Sequence, residues 1–259
     1  MTNREIPRAS SADDDVAGLT AAVAGLAGLV ADSGTIEQLL TEVASFAMSA
    51  VPGADGAGVT VVEAGRHDTI VASETFVRDV DAIQYRLGEG PCISAAATGS
   101  TNSSGALGED ASWPTFGPLA AELGVHSALS LPLVFNGDIL GAINVYAHAR
   151  DAFDGSSRGI GEKFAAPAAV AVHNALVLNE AQQTALRLET ALKTRSTIDH
   201  AIGIVMSRTG VSASDAFIRL RIMSQHEHVK LAVVAQNLVQ ESTRRARARV
   251  RDAHADEGA

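Results

Sequence analysis

Ala171, Asn174, Leu178, Ala181, Ala185, Leu188 and Leu192 recur in alternating steps of three and four, with no proline or glycine between them. That spacing lays one seam along a single long helix, because 3.6 residues per turn return such positions to the same face. A helix of this length cannot be taken up by a sheet, so it divides the chain into a part before it and a part after it. We expect a connecting helix over 165–200. Its seam is rich in alanine and interrupted by Asn174, which makes it weak as a zipper. Two readings stay open: a parallel homodimer joined by a coiled coil and supported by flanking domains, and a helix that only packs its own domains.

Before the helix the periodicity is that of strands. Residues 58–62 and 68–72 alternate around a turn at Ala64-Gly65-Arg66 and read as a hairpin. Residues 127–135 and 139–146 flank Asn136-Gly137-Asp138, where an Asn-Gly pair favours a tight turn between apolar strands. The segment between the hairpins is about 50 residues long and rich in Gly, Ser, Ala and Pro, longer than an ordinary connection and suited to forming a pocket or lid. Further upstream, a helical pattern runs from Gly34 to Phe46, and another covers 16–31. The latter follows Asp13, Asp14 and Asp15, where a signal peptide needs positive charge, and falls short of the ~20 apolar residues of a membrane span. It reads as a buried or dimer-forming helix, with no membrane partner. Residues 1–15 are polar and expected to be disordered.

After the helix the pattern breaks into three helical stretches. The first stops at Gly210. Ser212 stands three residues before Asp215, as in a capping box, and starts a helix with Ala216, Phe217, Leu220 and Met223 on one face. The third starts near Lys230 and presents Leu231, Val234, Ala235, Leu238 and Val239. Three short helices make a bundle too small for much catalytic architecture.

The whole chain of 259 residues carries a formal charge of −10, which by itself argues against a polyanionic partner. The charge is unevenly placed. Residues 1–186 hold 8 Lys and Arg against 22 Asp and Glu, whereas residues 187–251 hold 12 against 5. A basic helical module behind an acidic domain is a candidate for binding a polyanion, or else its charges solvate exposed faces. The single cysteine, Cys92, permits no intrachain disulfide and points to a reducing, cytoplasmic setting. The eight histidines are scattered and His226-x-His228 lacks further ligands, so no metal site is expected. Phosphate-cradling and nucleophile-elbow motifs are missing from the sequence.

The stretches ALKTRSTIDHAIGIVM at 191–206 and SDAFIRLR at 214–221, with Ser224, Val234 and Ala235, resemble the ANTAR domain, a three-helix RNA-binding antitermination module, over about 186–243. The stretches LGEGPC at 87–92, DASWPTF at 110–116, GVHS at 124–127, LPL at 131–133 and LGAINVY at 140–146 resemble a GAF sensory domain of the actinobacterial kind. The resemblance implies an α+β fold: a GAF antiparallel sheet flanked by helices within 16–180, the long connecting helix, a C-terminal three-helix ANTAR bundle, and an Arg-rich then acidic tail at 244–259. It implies a cytoplasmic, dimeric GAF-ANTAR regulator rather than an enzyme, whose ANTAR dimer binds paired hairpin loops in messenger RNA leaders under control of the sensory domain.

Loop bases are unstacked and readable, unlike those of a regular A-form helix. Carried onto this chain, the resemblance makes Arg195, Ser196 and His200 the RNA-facing positions of the first helix, with Arg219, Arg221 and Lys230 as further contacts. Ala201 and Gly203 permit close approach by RNA or by a neighbouring helix. His200 and Ile202 depart from the residues that relatives often carry there. Phe217, Leu220 and Met206 are assigned to the bundle core. Gly90, Cys92, Trp113, Phe116 and Tyr146 are candidates for lining a small-molecule pocket in the sensory half; its ligand, and any cofactor, are unknown. Cys92 reads as a buried small hydrophobe, or as a redox or chromophore-attaching thiol. The competing functions are a thiol enzyme such as a methionine sulfoxide reductase using Cys92 with an outside resolving thiol, and a protein-binding helical adaptor.

Overall fold

In a computed structural model of the chain, residues 12–29, 35–63 and 66–256 are described. The elements run α1 (Ala12–Leu29), α2 (Ile36–Ala50), β1 (Gly56–Glu63), β2 (Arg66–Ala72), α3 (Thr75–Leu87), α4 (Pro91–Thr98), β3 (Asn102–Ser104), a 3₁₀ turn (Leu107–Glu109), α5 (Phe116–Glu122), β4 (Ser127–Phe135), β5 (Asp138–Ala147), α6 (Gly155–Thr209), α7 (Ala213–Glu227) and α8 (Leu231–Asp256). The fold class is the expected α+β. Contacts divide the chain into two compact units, one ending at Asn179 and the other starting at Glu180.

The first unit is built on an antiparallel sheet of order β2-β1-β5-β4-β3. Its central hairpin turns at Asn136 and Gly137, both at positive φ (51° and 91°), so Asp138 is the first residue of β5 rather than part of the turn. Two consecutive positive-φ residues are what a tight hairpin matched to strand twist requires. The proposed Ala64-Gly65 turn of the other hairpin lies outside the described residues.

Alternation gives the sheet two different faces. Val59, Val61, Leu129, Leu131, Leu133, Ile143 and Val145 pack with Leu40, Val43 and Ala47 of α2 and with Phe164, Ala168 and Val172 of α6. Each fully buried side chain of this kind contributes about 1.5–3 kcal/mol. Thr60, Ser130, Asn144 and Tyr146 are buried on the opposite face, towards α3 and α4. The long excursion between the hairpins supplies α3, α4, the 3₁₀ turn and α5 to that side, and β3 to the edge of the sheet.

Several boundaries differ from expectation. Helix α1 starts at Ala12, so the acidic run 13–15 belongs to its first turn, where negative charge suits the helix dipole; residues 1–11 lie outside the described residues. Helix α2 continues to Ala50 and has the full capping box of Thr35 and Gln38. Helix α6 starts ten residues earlier than 165 and takes Pro167 into its interior. That proline forfeits a backbone hydrogen bond. Phe164, Ala165, Ala168 and Ala169, packed on the sheet around it, offset the loss.

In the second unit, Ala201 of α6, Leu220 of α7 and Val234 and Ala235 of α8 form a core, joined by Ile198, Ile202, Val205, Leu231, Leu238 and Val239. Ser212 caps α7 by accepting from the Asp215 backbone N–H at 3.2 Å. The assignment of Phe217 and Met206 to this core is corrected: both are exposed, as is Met223 (39%, 37% and 41%). Ala216 and Leu220, four residues apart, take the buried stripe of α7, and Phe217 lies about 100° from Ala216 and about 60° from Leu220, to one side of it. The Arg-rich stretch after 243 continues α8 as far as Asp256.

Candidate functional site

On the α3 side of the sheet, a network of buried polar side chains lies beside apolar ones. Helix α3 turns Val77, Val80, Asp81 and Gln84 inward, at i, i+3, i+4 and i+7, so that two polar residues complete a buried stripe begun by two valines. The Asp81 carboxylate accepts from the Tyr146 hydroxyl at 2.5 Å, from Asn144 Nδ2 at 3.1 Å and from Gln84 Nε2 at 3.1 Å. Gln84 Nε2 also donates to the Tyr146 oxygen at 2.6 Å, and Asn144 Nδ2 approaches Thr60 Oγ1 at 3.3 Å. Ser130 donates to Asn144 Oδ1 at 3.0 Å, and Thr60 shares a 2.5 Å hydrogen bond with Tyr85. Burial, reinforced by the Asp81 carboxylate, raises the Tyr146 phenol well above its ordinary range.

The candidate pocket residues sit around this network but divide into separate groups. Cys92, at the start of α4, packs with Ala95, Ala142 and Tyr85, and its thiol lies 3.6 Å from Thr60 Oγ1. Burial first, then the Asp81 carboxylate, pushes that thiol up to about 12. Gly90 has φ 143°, and a Cβ there would collide with the Gln84 side chain, whose Oε1 accepts the Cys92 N–H at 2.9 Å. Trp113, Phe116 and Tyr146 belong to a different cluster with Val77, Val80 and Leu107. Trp113 Nε1 donates to Ser94 of α4 at 3.1 Å. Glu89 ties the two regions together by accepting the backbone N–H groups of Thr115 and Phe116 at 2.7 and 2.8 Å, bonds that hold its carboxyl below the usual range.

In the second unit, Ser196, His200, Gly203 and Ser207 follow one another at four, three and four residues. They form a face of α6 opposite Ile198, Ala201 and Val205, which enter the bundle core. A groove of about 680 Å³ brings His200 and Gly203 together with Asp199, Ile204, Ser207 and Arg208 from α6 and Ser242, Arg245 and Ala246 from α8. The two small residues of α6 therefore have different roles: Ala201 is buried against the other helices, and a Cβ at Gly203 would meet open space. Arg195 and Ser196 are exposed, Ser196 one turn before His200. Arg219 and Arg221 are exposed on α7 but, two residues apart, point in different directions; Lys230 is exposed at the α7–α8 junction, its carbonyl accepting from Val233 and Val234.

Sequence reasoning missed Asp81, Gln84 and Asn144, and the arginine pair Arg208 and Arg245. The signal for the first set was present, since Val77, Val80, Asp81 and Gln84 have core spacing. For the arginines, composition counted charge without assigning faces. Among the described residues, no group of three His, Cys, Asp or Glu side chains could hold a metal ion, and no helix is long and apolar enough to cross a membrane.

Comparison with known proteins divides the chain at the same place. A family model described as GAF domain matches residues 33–173, and one described as ANTAR domain matches residues 186–239. Among solved structures, the chain is similar to the free methionine-R-sulfoxide reductase of Neisseria meningitidis in complex with its substrate (16% identity, 66% of this chain and 96% of that one, TM-score 0.49). It is also similar to the GAF domains of phosphoenolpyruvate-protein phosphotransferases from Coxiella burnetii (16%, 66% and 98%, TM-score 0.46) and Acinetobacter (12%, 64% and 97%, TM-score 0.49). No curated protein matches the chain.

Proposed function

The chain belongs to the GAF domain family and carries an ANTAR domain behind it, and from that premise we propose that it is a cytoplasmic, homodimeric antitermination regulator that binds paired hairpin loops in messenger RNA leaders. The observation that carries the reading is the exposed α6 face of Ser196, His200, Gly203 and Ser207, flanked by Arg195 and opening on a groove with Arg208 and Arg245. Small and hydrogen-bonding residues allow a base edge to come close, and the arginines supply phosphate contacts that orient the RNA. Arg219, Arg221 and Lys230 add positive charge on the neighbouring elements.

Dimerisation is supported by α6 itself. Every residue over 180–193 is exposed, including Leu186, Leu188 and Leu192, which is costly for a lone helix in water and is relieved when two such helices pair. The sensory half acts on RNA binding through α6, which contributes residues to both units. A signal does so only by its differential affinity for two states of the protein. A small molecule recognised near Gly90, Cys92, Trp113, Phe116 and Tyr146 would have to exchange hydrogen bonds with the Asp81 network. A thiol enzyme is disfavoured, because the nucleophile of such chemistry is the thiolate and Cys92 is buried with its thiol pushed up to about 12.

The test is a gel shift of the purified full chain on dual-hairpin RNAs from its own genomic neighbourhood, at moderate salt. Binding that depends on the loop bases is expected, and Arg195→Ala weakens it more than Arg251→Ala. Failure to shift any such RNA contradicts the reading. Turnover of free methionine sulfoxide that disappears in Cys92→Ser would support the enzyme instead.

A further inference from the structure

Helix α8 runs to Asp256, whereas the ANTAR match stops at residue 239, so residues 240–256 form roughly 25 Å of helix that the module does not account for. The arginines of this extension sort onto different faces. Arg245 is ion-paired with Glu241 and borders the groove containing His200 and Arg208. Arg244, Arg247 and Arg251, at i, i+3 and i+7, line a different recess with Gln240 and Thr243. All three are exposed, and none has an ion pair with a described residue.

Three like charges on one helical stripe repel and weaken the helix they sit on. The helix dipole does not compensate them, because its effect is confined to the last turn and Arg244, Arg247 and Arg251 all precede it. Their chemistry also narrows the partner. The recess has Val239 and Ala246 as its apolar lining and no aromatic or leucine side chain among its described residues, unlike a membrane-surface helix or a protein hot spot. Evenly spaced guanidinium groups with hydroxyl and amide neighbours suit a row of phosphates. The stripe continues the helix whose Val234 and Ala235 anchor the bundle core, so it stands at a fixed offset from the α6 face.

We propose that Arg244, Arg247 and Arg251 form a phosphate-binding rail that holds the backbone of the bound RNA without reading its sequence. This inference rests on the RNA-binding reading above. The experiment compares the full chain with the triple variant Arg244→Gln, Arg247→Gln, Arg251→Gln. Affinity is measured over a range of salt for a dual-hairpin RNA and for the same RNA with its loop bases changed. The rail predicts that the slope of log affinity against log salt becomes shallower by about 2–3, and that both RNAs lose affinity by a similar factor. Replacing the three by lysine restores most of the slope. Should the triple glutamine variant lose helicity, Arg247→Gln alone reduces the slope by about 1.

A folded triple variant with the parental slope overturns the proposal, as does a loss confined to the original loop sequence. A gain in RNA affinity would place these arginines against an acidic protein surface and overturns it equally. If the unmodified chain binds neither RNA, the RNA-binding reading itself has failed.

Discussion

The Asp81 carboxyl group has no exposure to solvent and accepts hydrogen bonds from Gln84, Asn144 and Tyr146. A buried charge is tolerated only when such donors replace water, and losing one costs about 1.5–3 kcal/mol. Tyr146→Phe is therefore expected to lower unfolding stability by about that amount in chemical denaturation, with little change in backbone structure. Cys92 gives a second test. With its thiol pushed up to about 12, the native protein resists alkylation at pH 8 and reacts on unfolding. The folded value lies above the ordinary value of 9.0, so the stability it contributes is fully present below pH 9 and is lost as pH rises towards 12. Denaturation midpoints should fall across that alkaline window, and Cys92→Ala should reduce the fall. The burial of Cys92 was one of the two readings of the lone cysteine; the influence of the Asp81 carboxylate on its thiol was not legible from it. Legibility would have required noticing that Asp81 and Gln84 share the helical stripe of Val77 and Val80, because only that register puts the carboxylate beside the thiol.

Among the elements, the parts specified by local chemistry were readable and the parts specified by neighbours were not. Asn136-Gly137 demands its turn, Ser212 caps α7, and Val234 with Ala235 enters the bundle as spacing required. Pro167 inside α6 runs against local preference and is held by packing on the sheet. Phe217 shares the apolar face of α7 by periodicity, yet α7 is buried only along Ala216 and Leu220, so hydrophobicity alone misassigned Phe217, as it did Met206 on α6. Two predictions belong at this scale. Leu220→Ala removes a fully buried side chain and should cost the bundle about 2–5 kcal/mol in thermal or denaturant unfolding, and RNA binding with it. Leu188→Glu with Leu192→Glu places charges on the exposed α6 seam; sedimentation should show the dimer replaced by monomer while the sheet unit keeps its fold. An unchanged mass would assign dimerisation to another surface.

For the whole molecule, a net charge of −10 conceals two opposite halves, with the excess of Lys and Arg confined to 187–251. That division coincides with the family matches and with the two contact units, whose boundary falls at 179–180. Charge alone located the basic end without distinguishing its faces. The structure separates an α6 face of small and polar residues from an arginine stripe on α8, a division suited to reading and holding a nucleic acid respectively. On the proposed RNA-binding reading, an acidic first half would discourage RNA from lying across the wrong surface. The central claim, that this chain regulates by binding RNA hairpin loops, is tested most directly by crosslinking it to RNA in cells and sequencing what is recovered. Recovered fragments are predicted to concentrate in messenger RNA leaders at closely spaced pairs of short hairpins, and to fall sharply with Arg195→Ala. Recovery no greater than in uncrosslinked controls, or spread evenly over abundant transcripts and indifferent to Arg195, would contradict the account.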